Sequence, residues 1–222
     1  MSQCKWCGKK GLFVSTNENG VCNSCISRAK FDFNQRYRII IESQRIISES
    51  KSFKTIISRI DTLIEHARYI AKYEAWGMQL MTPLASALIS SYSNKKIALI
   101  KQFVADEIDK IRTRAEIVIS PKSKISENNK VLLKIAEWRK EFPGEEISAV
   151  LETEDKNTRK IVRELQLKTF LEEAEKAIFM DQKQKAIAKF QEALYFIKTD
   201  EIPDDQQVEI VDDIEKKIAA LK

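Results

Sequence analysis

Apolar residues recur at intervals of three and four along most of the chain, the period of a helix with one buried face. From Phe31 onward Phe33, Tyr37, Ile40, Gln44 and Ile47 fall on one such face. After the polar break SESKS, a second stripe runs through Phe53, Ile56, Ile60, Ile64, Ala67 and Ile70. Gly77 is placed to close that helix, and Thr82 to cap the next, with Pro83 in its first turn. A third pattern extends from Leu84 towards Ile119 through Ile97, Ile100, Val104, Ile108, Ile111, Ala115 and Val118. Three amphipathic helices with short breaks predict an antiparallel bundle or long hairpin over residues 31–119.

The stretch SPKSKISENN, residues 120–129, is polar and aperiodic and contains Pro121, so it reads as a linker to a second helical domain over 130–222. There, VLLKIAEWRKEF is a helix stopped by Pro143-Gly144, and EEISAVLE a short one. NTRKIVRELQLKTFLEEAEKAIFM and QKQKAIAKFQEALYFIK pair about a turn near Asp181, and DDQQVEIVDDIEKKIAALK is placed as a capping helix. The pair carries Phe170, Ala174 and Ala177 on one helix and Ala186, Phe190 and Ala193 on the other. It resembles a tetratricopeptide-type hairpin, in which small residues let two helices approach and aromatics fill the gaps. Ala177 stands where that family often has tyrosine, and the proline expected after the hairpin comes late, as Pro203. One repeat of about 34 residues is present. The resemblance implies a protein-binding scaffold, and a plain helical bundle is the alternative.

The first thirty residues break the helical period and hold every cysteine: Cys4, Cys7, Cys22 and Cys25, two C-x2-C pairs. Glycine follows the first pair, Asn19-Gly20 precedes the second, and LFVS between them reads as a short strand. This pattern resembles a zinc ribbon or zinc knuckle. The resemblance implies one structural Zn2+ held by Cys4, Cys7, Cys22 and Cys25, with closed coordination and no position for substrate water. A thioredoxin-like redox pair would require a surrounding βαβ unit, and none is predicted. The fold class expected is therefore mainly α, with a small N-terminal β zinc-ribbon module at residues 1–30 followed by helical hairpins.

Charge then narrows the partners. The first thirty residues carry five basic side chains and one acid; residues 31–119 carry fourteen and ten; the rest carry nineteen and twenty-two. Lys5, Trp6, Lys9, Lys10, Arg28 and Lys30 are the candidate contacts for nucleic acid or a protein partner. The competing reading has Trp6 and Phe13 covering the metal site while the lysines keep it soluble. Tyr69, Tyr73, Trp76, Met78 and Met81 form either core or an adaptable partner surface. His66, the only histidine, is expected to pack or face solvent.

No Gly-rich phosphate loop occurs, and acidic pairs such as Asp106/Asp109 and Asp204/Asp205 are ordinary helix-surface charge, so no enzyme is expected. No apolar run approaches the roughly 20 residues of a membrane span, and the N-terminus does not read as a signal peptide. The expectation is a cytoplasmic, non-enzymatic helical adaptor mediating protein–protein interaction. Its alternative is a nucleic-acid-binding accessory or regulatory factor using the basic ribbon. Isoleucine-rich stripes leave a homo-oligomer open.

Overall fold

The computed structural model describes residues 2–11, 13–74, 77–199 and 207–222. Among the described residues seven helices follow one another: α1 (Asn23–Glu49), α2 (Phe53–Glu74), α3 (Ala85–Ile117), α4 (Pro121–Glu141), α5 (Glu145–Phe179), α6 (Lys183–Thr199) and α7 (Val208–Leu221). No helix among the described residues is long and apolar enough to cross a membrane. The β character expected at the N-terminus reduces, among the described residues, to two isolated antiparallel bridges, Gln3 with Lys10 and Thr16 with Cys22. The strand expected over LFVS is not formed at Phe13–Ser15, and Leu12 lies outside the described residues. Turns take the local hydrogen bonds instead: Val14 donates to the Gly11 carbonyl and Gly20 to that of Asn17.

The chain divides into two compact units, Met1–Phe103 and Val104–Lys222. In the first unit α1 and α2 form an antiparallel hairpin: Asp32 meets Tyr73 and Arg36 meets His66, so rising along one helix descends the other. Ile40, Ile47, Ile60, Leu63, Ile64, Ala67 and Ile70 fill its core, joined by Ala85 and Leu88 from the start of α3. These are the stripes predicted from spacing. Helix α1, however, begins at Asn23 rather than near Phe31 and so runs directly out of the second cysteine pair. At the end of α2, Gly77 takes φ +74°, its N–H bonds the Glu74 carbonyl, and the Met78 N–H bonds that of Tyr73. This is the Schellman closure, which favours glycine in the left-handed position.

The cap of α3 is not the expected Thr82. Both Glu74 carboxylate oxygens accept backbone N–H groups there, one from Ala85 and the other from Ser86 at 3.2 Å. A carboxylate satisfies two orphan donors at once and complements the positive helix end, which a threonine hydroxyl does less well.

In the second unit the 120–129 stretch is helical from Pro121 onward rather than a linker. Proline at the first helical position has no N–H to leave unbonded, and the buried Asn128 amide is satisfied by the Lys124 carbonyl at 2.9 Å. Helix α5 is likewise continuous over 35 residues where two were expected. Neither Gly nor Pro interrupts it, and Glu152–Lys156 and Asp155–Arg159 ion pairs bridge the seam at 2.8 and 2.7 Å. The fully buried Thr158 bonds back to the Glu154 carbonyl at 2.7 Å. Helices α5 and α6 turn back on each other through Asp181, at φ +54°. Ala174, Phe190, Ala193 and Ile197 bury between them, with Ile214 and Ile218 of α7 closing the cluster.

Candidate metal centre

Two tight turns bring the four cysteines together. In the first, Gly8 adopts φ +71° and donates to the Cys4 carbonyl at 2.9 Å, and the Cys7 N–H points at the Cys4 sulfur, 3.5 Å away. In the second, Cys22 is the N-cap of α1 in extended geometry, and Cys25 lies in the helix's first turn. The Cys22 N–H also points at the Cys4 sulfur, at 3.3 Å. Both N–H groups face the Cys4 sulfur, one supplied by the glycine turn and the other by the residue that opens α1.

Cys4 Sγ lies 3.9 Å from Cys25 Sγ, Cys7 Sγ lies 3.9 Å from Cys22 Sγ, and all four sulfurs fall within 4.8 Å of one another. A disulfide requires about 2.05 Å, so the thiols are not bonded to each other. Metal–sulfur bonds of about 2.3 Å in a tetrahedron put sulfurs about 3.8 Å apart. The four cysteines therefore can hold one metal ion, and among the described residues they are the only such cluster. The second pair does open a helix, as a redox pair would, but its near sulfurs belong to the first pair and no sheet surrounds it among the described residues.

The electrostatics fit a cation. Backbone N–H groups of Cys7 and Cys22 hold the Cys4 thiol down to about 6, against the opposing effect of burial. Burial, with hydrogen bonds and charge from the neighbouring cysteines, pushes Cys25 up to about 12. Cys4 is thus favoured as a thiolate, and a dication at the centre would offset the cost of ionising the buried Cys25.

Val21 is buried beside the cysteines, and Val14, Ile26 and Trp6 pack against them. Trp6 is half-buried and reaches Tyr73 of α2, alongside Ala29 and Met78. Phe13, the other expected cover, is 100% exposed and shields nothing. Lys5 lays its stem over Gly20, while Lys9, Lys10, Arg28 and Lys30 are exposed. A second tie to the helices is the Asn19 side-chain amide, which donates to the Gly77 carbonyl at 3.0 Å.

Of the aromatic and methionine run, Tyr73 and Met78 are buried and Met81 packs on the helical core, while Trp76 lies outside the described residues. Tyr69 is exposed, with Arg36 3.8 Å and Lys72 4.5 Å from its ring centre. His66 is a packing residue whose Nδ1 faces Arg36 Nη1 at 3.3 Å. Sequence reading missed Asp32, which accepts the Tyr73 hydroxyl at 2.6 Å and Arg36 Nε at 2.9 Å. Burial opposes its charge, but these bonds and the nearby Arg36 and Arg28 hold its carboxyl below the usual value. The signal was there: Asp32 is the single acid between Glu18 and Glu42. Burial and the Asp32 carboxylate push Tyr73 up to about 12.

In the C-terminal hairpin Ala174, Ala177, Ala186, Phe190 and Ala193 are all buried, and half-buried Phe170 meets Phe196 at 5.7 Å between ring centres. Asp106 and Asp109 are exposed on α3; Asp204, Asp205 and Pro203 lie outside the described residues. Comparison of the chain with protein-family models, curated proteins and solved structures returned no match.

Proposed function

We propose that this chain is a non-enzymatic helical adaptor whose N-terminal segment is fastened to its first helical hairpin by a single structural Zn2+ on Cys4, Cys7, Cys22 and Cys25. The observation that carries the reading is the junction: one cysteine pair forms the start of α1, while Trp6 and Asn19 contact the end of α2. Four thiolates leave no coordination position for substrate, so the ion's work is structural. Zinc suits a sulfur tetrahedron, which iron also accepts; metal analysis of the purified protein distinguishes them, with one zinc per chain expected and iron overturning the assignment. The reduced thiols suit a reducing compartment such as the cytoplasm.

The α5–α6 hairpin, read as tetratricopeptide-like, is the part suited to a protein partner. Its small buried residues support that reading, as do Phe179 and Tyr195, which are 92% and 73% exposed. A second reading, nucleic-acid binding, has its own support in the first compact unit. That unit contains sixteen Lys and Arg against seven Asp and Glu, a net +9, leaving −4 for the other. Five of its seven acids are engaged internally: Asp32 by Tyr73 and Arg36, Glu42 and Glu49 by Arg45, Asp61 by Lys96, and Glu74 at the α3 cap.

Titration of the zinc-loaded protein against single- and double-stranded DNA and RNA over a range of salt separates the two. No binding at about 100 mM salt is expected of the adaptor. Submicromolar binding that weakens steeply with salt, and is lost on charge reversal of Lys9, Lys10 and Arg28, would replace it with the nucleic-acid function.

A further inference from the structure

The four cysteines are not equivalent towards solvent: Cys4, Cys22 and Cys25 are buried and Cys7 is exposed. Cys7 also sits on a solvent-facing turn, held by backbone bonds from Cys4 to the Lys9 carbonyl and from Gly8 to the Cys4 carbonyl. Gly8, Lys9 and Lys10 behind it are exposed, and a side chain at Gly8 would meet no atom within 4 Å. The solvent side of this turn is therefore open to a small reagent. A reagent arriving from solvent meets the Cys7 sulfur first.

The neighbouring sulfur decides the second step. Cys22 Sγ is 3.9 Å from Cys7 Sγ, whereas Cys4 Sγ accepts two backbone N–H groups and lies 3.9 Å from Cys25. Hydrogen bonds to a thiolate quench its nucleophilicity, which leaves Cys22 as the partner for Cys7. Closing that pair shortens the separation to about 2.05 Å and removes two of the four ligands at once.

Resting on the proposed zinc occupancy, we propose that Cys7 is an oxidative modification site at which a peroxide releases the metal. The Cys7 thiolate attacks the peroxide; the O–O bond breaks, an S–O bond forms, and hydroxide (or alkoxide) leaves. The Cys22 thiolate then attacks the Cys7 sulfenic sulfur; the S–S bond forms, the S–O bond breaks, and a second hydroxide leaves. Two thiolates supply the two electrons that reduce the peroxide. Cys4 and Cys25 remain, two ligands where zinc takes four, and the ion passes to solvent. A dithiol reductant reverses the disulfide and lets zinc return. Because Cys22 caps α1, the exchange converts an oxidant signal into loss of the N-terminal staple.

The test uses the full-length protein with its zinc content measured first; a protein holding no zinc at that stage overturns the zinc reading itself, before any oxidant is added. Hydrogen peroxide is then titrated against a chromogenic zinc chelator, with thiol counting and peptide mapping of the disulfides. The expected result is one zinc released for every two thiols lost, a Cys7–Cys22 peptide, and recovery of zinc binding after dithiothreitol. Zinc leaving while Cys7 still alkylates, or mapping to Cys4–Cys25, overturns the proposal. Cys7→His keeps a metal ligand that peroxide does not join to Cys22, and at least tenfold slower release is expected; unchanged release also overturns it.

Discussion

The Trp6 ring lies 5.5 Å from the Tyr73 ring, centre to centre, at an interplanar angle of 52°. Trp6 stands between two of the cysteines and Tyr73 stands near the end of α2, so this pair joins the cysteine cluster to the helical hairpin. Tilted aromatic pairs add about 0.5–1.5 kcal/mol beyond the area they bury. A double-mutant cycle with Trp6→Ala and Tyr73→Phe or Ala, read by urea unfolding, should return a coupling in that range for the metal-loaded protein with Tyr73→Ala. The coupling should vanish after chelation. Coupling that survives metal removal would separate the two features.

Chelation itself should act locally. Amides of residues 2–30 are expected to lose hydrogen-exchange protection, because in the proposed function a metal closes a segment too small to build its own core. Ile40, Ile47 and Ile60 sit in an apolar core that does not include the cysteines, and their amides should remain protected. Exchange mass spectrometry with and without chelator checks both halves.

Asp32 gives the first unit an acid-sensitive element. Its folded-state pKa is depressed, so its contribution is present above the ordinary 3.8 and is lost as pH falls through the lower folded value. Hydrogen bonds to a charged group contribute about 1.5–3 kcal/mol. Asp32→Asn should therefore destabilise by roughly that much at pH 6, and the gap from wild type should narrow on approaching pH 3. Comparing chelated proteins throughout keeps metal loss out of the difference. A gap independent of pH would remove the carboxylate's charge from the account.

The start of α3 offers a contrast between two caps. Glu74→Ala should cost about 0.5–2 kcal/mol, as loss of a cap does, while Thr82→Ala should fall within about 0.5 kcal/mol of wild type. Thermal unfolding of the two variants checks the order, and the reverse order would restore Thr82 as the cap.

In the C-terminal hairpin Phe190 is fully buried in a cluster with Leu167, Ala174, Ala193 and Ile197. Phe190→Ala should cost about 3–5 kcal/mol and Ala193→Leu about 1–3, the first by a cavity and the second by overpacking. Urea unfolding measures both. A silent Ala193→Leu would mean that the close approach of α5 and α6 does not depend on small residues.

The legibility of each feature in the sequence tracks how local its determinant is. The stripes through Ile60, Ile64, Ala67 and Ile70 were legible because spacing alone sets a helical face. So were Gly77 and the turn at Asp181, where one residue's backbone preference decides. The Glu74 cap was not, because it depends on where the chain after α2 returns, eleven residues later. The bond from Asn19 to Gly77 spans fifty-eight positions and left no pattern at all. The seam in α5 and the 120–129 stretch misled because polar composition reads as loop, whereas ion pairs and a proline at the first position make it helix. The cysteine cluster was the most legible site, since its spacing already encodes two turns. The spacing did not reveal that the second turn belongs to α1.

That shared turn gears the two parts together. Cys22 and Cys25 fix the rotational phase of α1, and Ala29, Ile40 and Ile47 inherit it. One residue inserted between Cys25 and Ala29 would swing every later side chain by about 100° around the helix axis. Either the cysteine cluster or the core would then be out of phase. A loop in that place would absorb the insertion; a helix does not. The spacing from the last cysteine to the first core residue is thus a fixed length in this molecule, and natural variation in the chain should accumulate on either side of it.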